Sequence, residues 1–320
     1  MEARRGQLAT SAEMTLAGFD ELHRAADSMN QPVSVAAAGG ADRTVLEALE
    51  AARERGWVSP IVVGSGSEIR RVAEECGVGL DGFSIIETDD PAAAAVSEVR
   101  AGRARLLMKG HIATPALMRA VLDPGAGLRA GRVVFQVVLM EIVPAARRFL
   151  MADTGVSIQP DLSQKIDIMR STVEVAQTLG APEPRVALMA ATEVVVETMP
   201  ETIHASELTR RSRAGEFPGC VVQGPLSFDL AYSADSADKK RIGGSVVGAA
   251  DAMVFPNLVS ANLTVKAIMY TAPCRFGGVL RGTSCPVAFM SRADSTATRL
   301  NSLALAVKLF LARTERAMNH

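Results

Sequence analysis

The segment PVAFMSRADS, residues 286–295, runs apolar from Val287 to Met290 and then delivers Ser291, Arg292 and Asp294 within four positions. A plain turn is built from Gly, Pro, Asn or Asp and has no use for a guanidinium fork. A hydroxyl, a fixed cation and a carboxylate together can hold an anion, steady a developing oxyanion and accept a proton. The residues that follow say where this trio sits. Leu300, Leu303, Val307, Phe310 and Leu311 recur at helical spacing and predict a helix with one buried face. Asp294 or Ser295 would cap it. Ser291 and Arg292 then occupy a strand-to-helix loop at the C-terminal end of a strand, the edge where open α/β sheets bind ligands.

LLMKGHIATPALMRAVL, residues 106–122, has the same design. A strand ends at Lys109-Gly110, and a helix is predicted to start with Thr114 as cap and Pro115 at its first position. Free amides at that end, with Lys109 beside them, favour a phosphate. His111 reads as a structural or exposed histidine. VVQGPLSFDLA carries Asp229 after a Gly-Pro turn, and PNLVSANLTVKAIMY carries Asn262 and Lys266 four apart on one helix face. The lone Gly-x-Gly of VVGSGSEI lacks a third glycine and reads as a tight turn, not a dinucleotide site.

Strands and helices alternate along the chain and predict a parallel-sheet-rich α/β fold with helices on its faces. A leading helix, GFDELHRAADS, precedes the first strand. The glycine-rich LDPGAGLRAGR, residues 122–132, marks a change of domain. The last strand and helix return to the first domain. That gives residues 1–131 plus 282–320 as a discontinuous domain 1, 132–281 as an inserted domain 2, and a cleft between them as the site.

The 320 residues are 48% hydrophobic and only 4% aromatic, so small aliphatic side chains must build the core. A net charge of −1 offers no basic footprint for nucleic acid. No apolar run reaches membrane-spanning length, and the N-terminal 19 residues lack a secretory leader's apolar centre. Four scattered cysteines and four dispersed histidines predict reduced thiols, a cytoplasmic protein and no metal site.

Taken in order, LMKGHIAT, GCVVQGPLSFDLA, PNLVSANLTVK, GGVLRGTSCPV and SRADS followed by NSLALA resemble the phosphate acetyl/butyryltransferase family, most closely its butyryl branch. The resemblance runs from about residue 32 to 312. It implies two α/β domains related to the isocitrate and isopropylmalate dehydrogenases. The implied reaction is reversible transfer of a short acyl group between coenzyme A and inorganic phosphate, with both as substrates, no tightly bound cofactor and no covalent intermediate. It implies a homo-oligomer, a dimer or a multiple of dimers. The implied catalytic residues are Ser291, Arg292 and Asp294. Lys109, Gly110, Thr114, Asp153, Asp229, Asn262, Lys266, Thr283 and Ser284 would bind phosphate and coenzyme A. Acetyl-type members carry a carboxylate seven positions after the motif serine, where this chain has Thr298. Gln223 stands where the family has Asp, Ala261 where it has Gly, and Phe135-Gln136 where the butyryl branch has Ser-His. These departures are expected near the cleft. They leave open a phosphate acetyltransferase or a catalytically silent acyl-CoA-binding relative. A dehydrogenase of the related fold would need an aspartate cluster for its metal, and the sequence has none.

Overall fold

The computed structural model describes residues 16–318, so most of the segment read for a leader, and His320, lie outside the described residues. The chain opens with α1 (Phe19–Asp27) and then alternates as expected: β1 (Val33–Ala38), α2 (Arg43–Glu54), β2 (Val58–Gly64), α3 (Gly66–Cys76), β3 (Ser84–Glu87), α4 (Pro91–Arg100), β4 (Leu106–Lys109) and α5 (Thr114–Leu122). Local chemistry sets these ends. Asp42, Ser65 and Asp90 accept the free amides of Val45, Glu68 and Ala93 at the starts of α2, α3 and α4.

The second half holds β5 (Phe135–Ile142), β6 (Arg147–Ala152), α6 (Leu162–Thr178), β7 (Arg185–Met189), α7 (Pro200–Arg213) and β8 (Val221–Leu226). After these come α8 (Phe228–Tyr232), α9 (Ala234–Lys240), β9 (Ala252–Val254), α10 (Leu258–Thr271), β10 (Cys274–Arg281), β11 (Val287–Ala288) and α11 (Thr296–Met318). The strands form one eleven-stranded sheet, ordered β3-β2-β1-β4-β11-β10-β5-β6-β9-β7-β8. β1 to β4 and β11 make one side of it, and β5 to β10 the other.

The fold is mixed α/β with a mostly parallel sheet, and the exceptions lie at its middle. β10 pairs antiparallel with β11 and β5, and β5 antiparallel with β6. Neither β6 nor β10 is evident from the sequence pattern. β10 hides behind Gly277-Gly278, which weaken a strand signal. Packing explains the glycines. A Cβ on Gly277 would lie 3.0 Å from backbone atoms of Asn301 and Ser302, and one on Gly278 would lie 2.8 Å from the Phe289 carbonyl. Their absence lets α11 lie directly on β10, and the Ser302 hydroxyl accepts the Gly278 amide at 2.9 Å.

α11 corrects the one-face expectation. Leu303 and Val307 are fully buried, but Leu300, Phe310 and Leu311 only partly, and burial is continuous from Asn301 to Val307. The helix is enclosed between the sheet and α1 and α2, which covers more than one stripe. One apolar core underlies both sides of the sheet, including Val35, Leu106, Phe135, Leu150 and Val254. On the other face the cores are separate, one around Leu107 and Phe289 and one around Met140 and Met253.

Candidate active site

A cavity of about 200 Å³ opens on the face where the two cores are separate. Its polar lining includes Thr114, Asn262, Lys266, Ser291 and Asp294, brought together from α5, α10 and the β11–α11 loop. Its apolar lining is Val138, Val265, Met269, Phe276, Phe289 and Met290.

The β4 end is shaped by Gly110. A Cβ there would meet the Gly39 carbonyl oxygen at 2.1 Å and that of Ala38 at 2.7 Å, so only glycine lets the loops after β1 and β4 close on each other. His111, exposed, pairs with Asp42 at 3.2 Å and lies outside the cavity lining. Thr114 is not the helix cap. Ala113 takes the extended cap conformation (φ −65°, ψ 135°), which admits Thr114 as the first helical residue and leaves its hydroxyl on the cavity wall.

Lys109 is 1% exposed, yet its ammonium makes no hydrogen bond to any described residue. Burial, with Arg299 and Arg292 nearby, lowers its pKa to about 8, against the attraction of Asp294. Arg292 is exposed and likewise makes no hydrogen bond to a described residue, nor does Lys266. Of these three cations Lys266 lines the cavity and acts on Asp294, while Lys109, which acts on Asp294 and feels Arg292, lies outside the lining, as Arg292 does. A buried ammonium with no acceptor is costly unless a ligand supplies the anion.

Asp294 accepts the Ser291 amide at 2.8 Å, which folds the loop back on itself. Burial raises its pKa above the usual carboxylate value, opposed by the Ser291 amide, Arg299, Lys109 and Lys266. The cap of α11 is Ser295, whose hydroxyl accepts the Thr298 amide at 3.2 Å, so Asp294 is free of that task. Thr298 also lines the cavity.

Arg299 escaped sequence reading. It is fully buried and donates from Nε to the Thr44 hydroxyl at 2.7 Å, and from its two Nη atoms to the Lys109 and Ser291 carbonyls at 3.4 Å each. It ties α2, the end of β4 and the Ser291 loop into one unit. A lone arginine in the first turns of an apolar helix was the available signal. On the far wall the sequence reading had Asn262 and Gln136 but missed Thr154. Asn262 donates to the Thr154 carbonyl at 3.1 Å, the Thr154 hydroxyl is buried without a partner, and Gln136 donates to the Phe289 carbonyl at 3.1 Å.

Seven sequence candidates are not in the cavity lining: Lys109 and Gly110 at the end of β4, Arg292 on the β11–α11 loop, and Asp153, Asp229, Thr283 and Ser284. Asp153 is buried and accepts the amides of Gln136, Gly155, Val156 and Ser157, so its carboxylate is spent on shaping the turn behind the wall. Asp229 pairs with Lys240 at 2.9 Å and the Ser227 hydroxyl at 2.6 Å, just after β8. β8 is four strands from β5, about 19 Å at ordinary strand spacing. Thr283 donates to the Cys285 carbonyl at 2.7 Å and, with Ser284, precedes β11, at the opposite end from Ser291. The departures separate in the same way. Gln136 lines the cavity, Phe135 is buried in the core on the other face, Ala261 is buried beside Asn262, and Gln223 on β8 is remote from the cavity. Among the described residues no cluster of three or more His, Cys, Asp or Glu side chains could hold a metal, and no helix is long and apolar enough to cross a membrane.

Lys109→Met should raise the thermal midpoint at pH 7 in phosphate-free buffer, while raising KM for the anionic substrate more than it lowers kcat. The folded pKa of Lys109, about 8, lies below its unfolded value, so the cost of the buried charge is fully present below pH 8. Between pH 8 and roughly 10.4 the unfolded chain holds the proton and the folded chain does not, so that cost fades as pH rises. The stability advantage of Lys109→Met should shrink over the same interval. Melting curves from pH 7 to 10 and saturation curves for phosphate and acyl-CoA check both halves.

Residues 87–307 match the phosphate acetyl/butaryl transferase family. The chain is 38% identical over 275 residues to a phosphate butyryltransferase of Clostridium acetobutylicum, covering 85% of this chain and 91% of that one. It is 35% identical over 289 residues to a phosphate acetyltransferase of Thermotoga maritima, covering 90% and 98%. The crystal structure of a branched-chain phosphotransacylase from Enterococcus faecalis V583 superposes at a TM-score of 0.76 with 30% identity, over 87% of this chain and 99% of that one. The chain belongs to the phosphate acetyl/butaryl transferase family and is a phosphate acyltransferase.

Proposed function

We propose that the enzyme moves a short aliphatic acyl group, butyryl or a close homologue ahead of acetyl, between coenzyme A and inorganic phosphate in one ternary complex. The observation that carries this reading is a cavity with an aliphatic and aromatic lining that also holds Lys266, Ser291 and Asp294, with Lys109 and Arg292 outside the lining and Lys109 close enough to feel both Arg292 and Asp294. Phosphate binds between Lys109, Arg292 and the start of α5. A phosphate oxygen attacks the thioester carbon, the carbonyl oxygen becomes an oxyanion held by Arg292 and the Ser291 hydroxyl, and the C–S bond breaks to release coenzyme A. In reverse, Asp294 takes the thiol proton as sulfur attacks the acyl phosphate. Coenzyme A and phosphate are substrates, and no tightly bound cofactor takes part.

The active-site cleft lies between domain 1, residues 1–131 plus 282–320, and domain 2, residues 132–281, in an arrangement related to the isocitrate and isopropylmalate dehydrogenases. Support comes from the strand order, which keeps the two groups on opposite sides of the β11–β10 junction, and from the separate cores flanking the cavity. Exposed Val259, Leu263 and Tyr270 on α10 support a homo-oligomer. The protein is placed in the cytoplasm.

Thiol release with phosphate and a panel of acyl-CoAs tests the reading. Butyryl-CoA should exceed acetyl-CoA in kcat/KM by on the order of tenfold, since each buried methylene contributes about 0.8 kcal/mol. A preference for acetyl-CoA would overturn the chain-length assignment, and no turnover with any acyl-CoA would mean a silent relative. Val265→Phe, which fills part of the apolar lining, should depress butyryl transfer more than acetyl transfer. An equal loss with both acyl-CoAs would take Val265 out of the acyl pocket.

A further inference from the structure

A net charge of −1 conceals a strongly basic region at the end of the sheet opposite to the acyl-transfer cavity. Two adjoining cavities open there, of about 280 and 540 Å³, and share Arg313. The first is lined by Arg132, Arg281, Arg313 and Arg316. The second adds Arg100, Arg105 and Arg129. Among the described residues lining both cavities, Glu174 is the one carboxylate, and two arginines divide it: Arg132 at 2.7 Å and Arg281 at 3.6 Å. Asp167 on α6 also acts on Arg132. Several remaining donors are spent on neutral oxygens. Arg313 reaches the Ser284 carbonyl, Arg100 the Gly125 carbonyl, and Arg316 the Thr178 hydroxyl at 3.3 Å. The Nε of Arg281 is buried with no acceptor, and burial, with three other arginines near it, lowers the pKa of this guanidinium.

Like charges gathered in concave pockets repel, and that cost persists unless an anion offsets it. We propose that this arginine-lined groove is a binding site for a small polyanion carrying two or more phosphoryl groups. One phosphate presents oxygens for roughly two guanidinium forks, and the groove offers many more. The lining holds a single aromatic side chain, Phe310, which provides no stacking platform for a nucleic acid strand. α11 runs from one site to the other. Arg299 and Arg313 are fourteen residues apart along it, about 21 Å of helix, so groove and acyl-transfer cavity can be filled together.

The test is titration calorimetry of the full chain with inorganic tripolyphosphate, in a Lys109→Ala/Arg292→Ala background that removes the anion holders of the acyl-transfer cavity. One tripolyphosphate per chain should still bind, more weakly as salt rises. Adding Arg313→Gln and Arg316→Gln, both exposed, should weaken binding by about tenfold or more, because charge-assisted hydrogen bonds are lost. Glu174→Gln should tighten binding, a gain that a purely structural role for Glu174 would not produce. Binding unchanged by the arginine substitutions, or weakened by Glu174→Gln in a chain that still melts normally, would overturn the site. Tighter binding of a short RNA than of tripolyphosphate, through the same arginines, would overturn the small-ligand assignment.

Discussion

Arg292→Ala should lower kcat for thiol release by about a hundredfold or more and leave the thermal midpoint where it is. Removing one preorganised donor from a developing oxyanion has a cost of this size, about 3 kcal/mol in the barrier. The unchanged midpoint follows from the structure, since Arg292 is exposed and makes no hydrogen bond to a described residue. Arg292→Lys should recover little, because an ammonium lacks the planar fork. Arg299→Ala provides the contrast. It removes a fully buried cation whose hydrogen bonds join α2, Lys109 and Ser291, so it should lower the thermal midpoint together with activity. Steady-state rates and melting curves of the three variants separate a guanidinium that meets substrate from one that holds the loop. Near-normal turnover in the lysine variant would reject the fork role.

Asp294→Asn should slow thiol attack on the acyl phosphate far more at pH 7 than at pH 9. At pH 7 a thiol of pKa roughly 8.5 is only a few per cent ionised, so the base supplies most of the reactive thiolate. At pH 9 the thiol ionises unaided and the variant should partly recover. Asparagine can still accept the Ser291 amide, so the loop is kept while the proton acceptor is lost. Burial, which raises the carboxyl pKa, makes the ionised group a stronger base. A helix-capping role cannot stand in for this, because Ser295 performs it. The pH–rate profile in the acyl-phosphate-consuming direction checks the assignment, and an equal deficit at both pH values would reject it. Asp153 and Asp229 do not replace it. The first is saturated by four backbone amides, the second lies several strands away, and Asp294 is the one carboxylate lining the cavity among the described residues.

How much of this was legible in the chain divides along a physical line. Lys109-Gly110 at the end of a strand, Ser291 to Asp294 at the end of another, Asn262 and Lys266 on one helix face and most strand-helix alternations all follow from local rules. Periodicity, caps and turn residues act within a few positions, so they survive in the sequence as pattern. The ordered motifs extended that reading to the family. Sequence pattern failed where a residue's role depends on a partner far along the chain. β10 keeps its glycine pair bare so that α11 can lie on it, and β5 and β10 run antiparallel to both their neighbours, β6 to β5 alone, where the two sides of the sheet join. Asp153 looked available and is consumed by amides of its own turn and of β5. Thr283 and Ser284 lie only a few residues before Ser291, yet β11 carries the chain to the opposite end of the sheet between them. Arg299 gives its hydrogen bond to the Lys109 carbonyl across 190 residues, and Gln136 reaches the Phe289 carbonyl across 153. No local propensity records such a contact, because its free energy is set only when the packed sheet brings both ends within hydrogen-bonding distance.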